Sequence, residues 1–127
     1  MATKYRVGVI ASGRIAQEHG RGWSECEQTE IVAIADVHPQ SLEVYGEAFG
    51  VEKRYLDYRE MLDEENLDIV SVCSWDPQHA EMTIAAAARR PKLILCEKPM
   101  AASVGEAEDM IVAAQRNDVK LVIGHQR

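Results

Sequence analysis

Five short runs of apolar residues constrain the fold of this chain more than any other feature of its sequence. They are VGVIA (7–11), IVAIA (31–35), IVSVC (69–73), LILC (93–96) and LVI (121–123). None of them alternates strictly between apolar and polar residues. Continuous runs rich in Val and Ile are typical of strands in a parallel sheet that is covered on both faces.

Segments with the apolar spacing of amphipathic helices separate these runs. The helices are predicted over residues 14–25, 40–49, 77–89 and 104–116, with a weaker strand at 53–55 and a short helix at 58–62. Gly50 is expected to end the second helix, Asp76 to cap the helix that opens at Pro77, and Ser103 with Glu106 to form a capping box. This order predicts an α/β fold with a doubly wound, mostly parallel six-stranded sheet and right-handed crossovers.

Length and charge narrow the class of protein. The 127 residues suit one domain, which we assign to residues 1–127. A net charge of −7 argues against a nucleic-acid partner, and no apolar run approaches the roughly 20 residues that span a bilayer. The N-terminus does not read as a signal peptide, so a cytoplasmic protein is expected. The three cysteines, Cys26, Cys73 and Cys96, are expected to be reduced thiols, and no histidine or cysteine pair has metal-ligand spacing.

The turn after the first apolar run points to a phosphate site. It reads ASGRIA (11–16), which approximates the dinucleotide fingerprint G-x-G-x-x-G/A with Ala11 in place of the first glycine. The amides of Gly13, Arg14 and Ile15 are expected to face an anion at the start of the first helix. An ordinary tight turn between strand and helix is the alternative.

Asp36 follows the second apolar run, 23 residues after Gly13. An acid in this position can bond both ribose hydroxyls of NAD and would repel the 2′-phosphate of NADP. No arginine follows it directly, so NAD is predicted and NADP is less favoured. The alternative is that Asp36 caps the helix that starts near Pro39.

Four segments together resemble the Gfo/Idh/MocA oxidoreductases, which are NAD(P)-dependent enzymes acting mostly on sugars, inositols and related polyols. The segments are VGVIASGRIAQEH, IVAIADVHP, DIVSVCSWDPQHAEMTIAAA and LILCEKPMA. The EKP tripeptide behind the fifth strand is the most specific of these features. The resemblance runs from Tyr5 to about Gln126.

The resemblance implies roles for matching residues. Ser12, Gly13, Arg14 and Ile15 would hold the pyrophosphate, and Asp36 the ribose on the adenine side. The loop containing Ser74, Asp76 and His79 would line the nicotinamide half of the cleft. Glu97 and Lys98 would meet the nicotinamide ribose and the substrate. These assignments give the following residues for cofactor binding: Ser12, Gly13, Arg14, Ile15, Asp36, Ser74, Asp76, His79, Glu97 and Lys98.

The chain also departs from the family pattern. Ala11 adds a methyl group where backbone should approach phosphate, and Trp75 replaces a proline at the mouth of the cleft. Members of the family carry a C-terminal α/β domain that supplies substrate contacts and usually the oligomer interface. That domain is not among these 127 residues, so the chain alone is not expected to be active, and a homo-oligomer is expected for the full-length protein.

Glu97 and Lys98 are the predicted catalytic residues. In an open α/β sheet, ligands lie outside the carboxyl ends of the strands, where these two residues follow the fifth run. Lys98 can hydrogen-bond the reacting oxygen or take its proton, while Glu97 holds the lysine or a ribose hydroxyl. The alternative is a solvated ion pair on a surface loop. Among the histidines, His79 is expected in the cleft, His19 in packing, His38 in a loop and His125 at the cleft edge.

Three functions remain open at this point. The chain could be the cofactor half of an NAD-dependent dehydrogenase for a sugar, inositol or similar polyol. It could be a nucleotide-binding or sensing module without catalysis. It could also be a fragment that is inactive alone.

Overall fold

The computed structural model describes residues 4–11, 14–73, 76–97 and 104–124, with backbone alone at 14–18, 76–79, 97, 104, 106, 123 and 124. In this part of the chain, six strands alternate with five helices. The strands are β1 (Tyr5–Ile10), β2 (Thr29–Ala35), β3 (Lys53–Tyr55), β4 (Ile69–Val72), β5 (Leu93–Glu97) and β6 (Lys120–Gly124). The helices are α1 (Arg14–Glu25), α2 (Pro39–Phe49), α3 (Tyr58–Glu64), α4 (Asp76–Ala88) and α5 (Val104–Arg116).

All six strands form one parallel sheet in the order β3-β2-β1-β4-β5-β6. The chain winds outwards from β1 to β3, returns to β4 beside β1, and winds outwards again to β6. The predicted doubly wound α/β sheet is therefore confirmed. Neighbouring β1 and β4 lead to helices on opposite faces, which opens a crevice at their carboxyl ends.

The two faces of the sheet carry separate clusters of buried side chains. One cluster joins the sheet to α3, α4 and α5 and includes Met61, Ala86 and Met110. The other joins it to α2 and includes Tyr45. Consecutive strand residues alternate between the clusters because strand side chains point to opposite faces. Full burial of each large apolar side chain contributes about 1.5–3 kcal/mol.

Gly20 allows α1 to lie close to α2. A Cβ atom at this position would lie 2.5 Å from Tyr45 Oη and 2.8 Å from Phe49 Cζ. Tyr45 is fully buried and its ring packs 4.7 Å from that of Phe49, measured between centroids. The two rings have little room to move, so a larger residue at Gly20 would separate the helices.

The helix ends differ from the prediction by small amounts. Gly50 ends α2 as predicted, with a φ of 66° and its amide donating to Gly46 O. α4 begins at Asp76 rather than at Pro77, so Asp76 is the first residue of the helix rather than its cap, a difference within the usual spread of helix ends. Ser103 and the side chain of Glu106 lie outside the description. α3 runs to Glu64, two residues beyond its predicted end.

Hydrogen bonds at the amino edge of the sheet join the start of β1 to the loop before β4, and the side chain of Tyr55, the last residue of β3, reaches the same loop. Arg6 at the start of β1 donates from Nη2 to Glu65 Oε1 at 3.0 Å and from its amide to Asp68 Oδ2 at 2.8 Å. Tyr55 Oη donates to Glu65 Oε2 at 2.6 Å. The Glu65 side chain is only 8% exposed, so both its oxygens are satisfied within the chain. The hydrogen bond between Glu65 and Tyr55 is the largest of the causes that raise the pKa of the Tyr55 phenol above its ordinary value.

The three cysteines are free thiols, as the sequence predicts. Cys73 and Cys96 are buried and Cys26 is half-buried. Among the helices that the structure describes, none is long and apolar enough to cross a membrane.

Candidate functional site

A cavity of about 360 Å³ opens at the carboxyl edge of the sheet. Its floor is formed by the ends of β1 and β2, including Ala11 and Asp36. One wall comes from Leu56, Asp57 and the first residues of α3, and the other from the second turn of α4. Helix starts and strand ends meet here because every strand of the sheet points in the same direction. This is where ligands bind in open α/β sheets.

Ala11 begins the predicted phosphate turn in a left-handed conformation. Its φ is 71°, and its amide donates to Ala35 O at 2.6 Å. This conformation costs a residue with a Cβ atom about 1–2 kcal/mol, which is the reason for a glycine at the first position of the fingerprint. Ser12 and Gly13 lie outside the described residues. Arg14 and Ile15 open α1, with only their backbone described.

Asp36 lies directly after β2 and is half-buried at the floor of the cavity. Its amide donates to Tyr55 O at 3.0 Å, and its Oδ1 accepts a hydrogen bond from the His38 amide at 2.8 Å. The residue at the N-cap of α2 is His38, which makes no capping hydrogen bond with its side chain. The alternative that Asp36 caps α2 is therefore wrong. The carboxylate instead orders the turn after β2 and lines the cavity.

Two exposed apolar residues flank Asp36 in the cavity. Val37 is 71% exposed and Leu56 is 57% exposed. Sequence reasoning missed both residues. A signal for them existed, since each follows the carboxyl end of a predicted strand and so lies at the edge of the sheet where ligands bind. Together with Asp36 they form a surface that is apolar on one side and acidic on the other. Such a surface suits a flat ring joined to a sugar.

A cluster of Tyr58, Arg59 and Glu81 forms the outer wall. Arg59 Nη2 donates to Glu81 Oε1, Tyr58 Oη donates to the same oxygen at 3.2 Å, and the Arg59 guanidinium carbon lies 4.7 Å from the centre of the Tyr58 ring. Burial, followed by the charge of Glu81, raises the pKa of Tyr58 to about 12. Sequence reasoning missed this cluster, and no local spacing signals it, because Glu81 belongs to a different helix.

His19 makes polar contacts that correct its assignment to packing. Its Nδ1 lies 2.7 Å from Ser71 Oγ and 3.2 Å from Cys73 Sγ. Ser71 is in the centre of β4 and fully buried. These contacts tie α1 to β4 across β1. They satisfy polar groups that would otherwise be costly to bury.

The remaining predicted residues, those assigned to the nicotinamide side in the sequence analysis, fall mostly outside the described residues. Ser74, Lys98 and His125 fall outside entirely, and Asp76 and His79 are described only by their backbone in the first turn of α4. The backbone of Glu97 ends β5 and pairs with Gly124. The carboxyl ends of β4 and β5 are adjacent, since Val72 pairs with Cys96. Within the described ranges, no three His, Cys, Asp or Glu side chains are grouped so as to hold a metal ion.

Residues 5–125 match the model of an oxidoreductase family with an NAD-binding Rossmann fold, GFO_IDH_MocA. The chain is 36% identical to myo-inositol 2-dehydrogenase of Thermotoga maritima, covering 96% of this chain and 36% of that protein. It is 31% identical to D-apiose dehydrogenase of Paraburkholderia graminis, covering 94% of this chain and 32% of the relative. The chain thus spans about a third of the length of these curated relatives.

A solved structure agrees with the fold. The crystal structure of an oxidoreductase from Agrobacterium radiobacter in complex with NAD⁺, L-tartaric acid and magnesium has a TM-score of 0.91 at 27% identity. The match covers 95% of this chain and 35% of that one. From the sheet order, the cavity at its carboxyl edge and these similarities, the chain belongs to the Gfo/Idh/MocA oxidoreductase family and contains its NAD-binding Rossmann domain.

Proposed function

We propose that this chain forms the cofactor-binding part of an NAD-dependent dehydrogenase that transfers a hydride between the nicotinamide and a sugar, an inositol or a similar polyol. The two curated relatives described above act on myo-inositol and D-apiose by their names, which supports a polyhydroxylated substrate. The bound cofactor would exchange a hydride with a carbon of the substrate. Because the chain spans about a third of these relatives, the reaction is proposed for the complete protein.

The observation that carries this proposal is the placement of Asp36 in the cavity. A half-buried carboxylate at the end of β2 can accept hydrogen bonds from two neighbouring ribose hydroxyls. The exposed side chains of Val37 and Leu56 lie beside it and would be covered by the adenine ring. An apolar surface of this kind is otherwise costly to leave in water. The acid and the apolar pair therefore fit the two halves of an adenosine.

Lys98 and Glu97 are proposed to carry the catalytic chemistry. The backbone places Glu97 at the carboxyl end of β5, at the same edge as the cavity, and Lys98 follows it in the chain. In this proposal Lys98 hydrogen-bonds the reacting oxygen and stabilises its developing negative charge, or takes the proton of the hydroxyl, and Glu97 orients the lysine or bonds the nicotinamide ribose. Ser12, Gly13, Arg14 and Ile15 hold the pyrophosphate. Ser74, Asp76 and His79 line the nicotinamide half.

The first experiment measures NADH binding to the complete protein by calorimetry. Asp36→Ala removes an acceptor of charge-assisted hydrogen bonds, and the net loss of even one such bond costs about 1.5–3 kcal/mol, so affinity should fall at least about 10- to 100-fold. Asp63→Ala is the matched control. Asp63 pairs with Arg89, away from the cavity at the carboxyl edge, and its loss should leave NADH affinity unchanged. Equal affinities of the two variants would remove the assignment of Asp36.

The second experiment measures NADH formation from a panel of polyols that includes myo-inositol and D-apiose. Lys98→Ala should abolish turnover in the complete protein while NADH binding remains measurable. Normal turnover of this variant would refute the role of Lys98. Tight NADH binding without turnover of any polyol by the unmodified protein would favour the nucleotide-sensing module. The complete protein is also proposed to form a homo-oligomer, which sedimentation would test.

A further inference from the structure

The charges around the adenine-side cavity are mostly acidic. Asp36, Asp57 and Glu81 line it, and among the lining residues in the described part of the chain Arg59 is the one cation. Asp57 is already used as the N-cap of α3, where its Oδ1 accepts a hydrogen bond from the Arg59 amide at 2.9 Å. Arg59 is thus the one group of this wall with the charge to attract an additional phosphate.

Two contacts hold the Arg59 guanidinium in place, and a third joins its two partners. Its guanidinium donates to Glu81, and it also lies over the face of the Tyr58 ring. Tyr58 in turn donates to the same Glu81 oxygen. Glu81, from the second turn of α4, therefore fixes both residues of α3 through a single carboxylate oxygen.

The Arg59–Glu81 pair is exposed and weak. The two side chains are 50% and 60% exposed, so the ion pair holds the guanidinium only modestly, by a factor of a few in affinity. Glu81 nevertheless competes with any second anion for Arg59. Without Glu81, the guanidinium would be free to donate to a phosphate in bidentate geometry.

We propose that Glu81 determines cofactor specificity together with Asp36, by keeping the Arg59 guanidinium from the 2′-phosphate of NADP. This inference rests on the proposed binding of adenosine in the cavity. Asp36 repels the 2′-phosphate directly. Glu81 engages Arg59, the one cation among the described residues that line the cavity, so replacing Asp36 alone leaves a wall that still does not attract the phosphate.

A double-mutant cycle in the complete protein tests the proposal. The affinities for NADH and NADPH are measured for the unmodified protein, Asp36→Ser, Glu81→Gln and the double variant. The preference is the ratio of NADH affinity to NADPH affinity. We expect this ratio to fall about 10-fold with Asp36→Ser and less than about 3-fold with Glu81→Gln. In the double variant the ratio should fall by about 100-fold or more. This is beyond the product of the two single effects, because the two sites are coupled through Arg59.

Two control variants separate this mechanism from a general loss of negative charge. Arg59→Leu, added to the double variant, should return the preference to that of Asp36→Ser alone. Asp63→Asn, combined with Asp36→Ser, removes the acid of another ion pair of α3, the one with Arg89 just after α4, and should add nothing. The proposal is overturned if the double variant shows only the product of the single effects. It is also overturned if the extra fall of the ratio in the double variant persists after Arg59→Leu, or if Asp63→Asn with Asp36→Ser gives the same extra fall.

Failure of this inference is distinguishable from failure of the proposed function. If the unmodified protein binds neither NADH nor NADPH, the assignment of the cavity to adenosine falls and the specificity mechanism with it. If the unmodified protein binds NADH and the cycle is multiplicative, the cavity assignment stands and only the role of Glu81 is refuted.

Discussion

The amino and carboxyl edges of the sheet are formed by the same strands but differ in how far their side chains are paired and exposed. At the amino edge, Glu65 has both oxygens occupied by Arg6 and Tyr55, and Arg6 also binds Asp68. At the carboxyl edge, Val37 and Leu56 are more than half exposed, and Ala11 is held in a left-handed conformation.

This difference distinguishes residues that stabilise the fold from residues that are available to contact a ligand. Partly buried polar groups at the amino edge find their partners within the chain, which adds to stability. Exposed apolar surface and local strain cost stability, and they persist where a ligand or reaction uses them. Substitutions at the two edges should therefore change different measurements.

The largest effect is expected at the amino edge. Glu65→Ala removes the acceptor of two hydrogen bonds, one of them from a charged donor, and should lower the free energy of unfolding by about 2 kcal/mol. NADH affinity should not change. The measurement is a urea titration of the complete protein, and Glu64→Ala, an exposed neighbour at the end of α3, should change stability by less than about 0.5 kcal/mol. Equal losses in both variants would contradict the structural role of Glu65.

The same variant changes the response to alkali. The folded pKa of Tyr55 is raised above its ordinary value of 10.0, first by the hydrogen bond to Glu65, so folding favours the neutral phenol. This contribution is complete below about pH 10 and is lost as the pH rises through the folded pKa. Glu65→Ala should therefore shift phenol ionisation, followed by ultraviolet absorbance, to lower pH.

An intermediate effect is expected from the apolar surface at the carboxyl edge. Leu56→Ser should leave the free energy of unfolding within about 0.5 kcal/mol, because the side chain is already exposed. NADH affinity should fall about fivefold, which corresponds to about 40 Å² of apolar surface left unburied at about 25 cal/mol per Å². Ile111→Ser, at an exposed position on α5, is the control and should leave affinity unchanged. A fall in stability without a fall in affinity would place Leu56 with the amino-edge residues.

The smallest effect concerns the strained turn. Ala11→Gly relieves a left-handed alanine and should raise the free energy of unfolding by about 0.5–1 kcal/mol, after the greater freedom of glycine in the unfolded chain is included. Ala107→Gly in α5 should have the opposite sign and lower it by about 0.5–1 kcal/mol. Thermal unfolding followed by circular dichroism distinguishes the two. A loss of stability in both variants would show that Ala11 is not strained.

Most of the fold could be predicted because its signals are local. Each apolar run became a strand with ends within two residues of the prediction, and Gly50 ended its helix as expected. Asp36 also follows from local order, because an acid at the end of the second strand faces the carboxyl edge in any sheet of this kind. The role of His19 was not predictable, since Ser71 and Cys73 approach it only through the packing of α1 on β4.

The sequence by itself determined the order of strands and helices, the family, and the end of the sheet at which Asp36 and the start of the predicted phosphate turn lie. These properties follow from periodicity, glycine and proline positions and short motifs, all of which act over a few residues. Only the tertiary structure brought Arg59 to Glu81, placed Val37 beside Leu56, and joined Arg6 to Glu65. Such pairs depend on how separate helices and strands pack across the sheet. The spacing of the residues along the chain does not predict how close the two members of a pair lie.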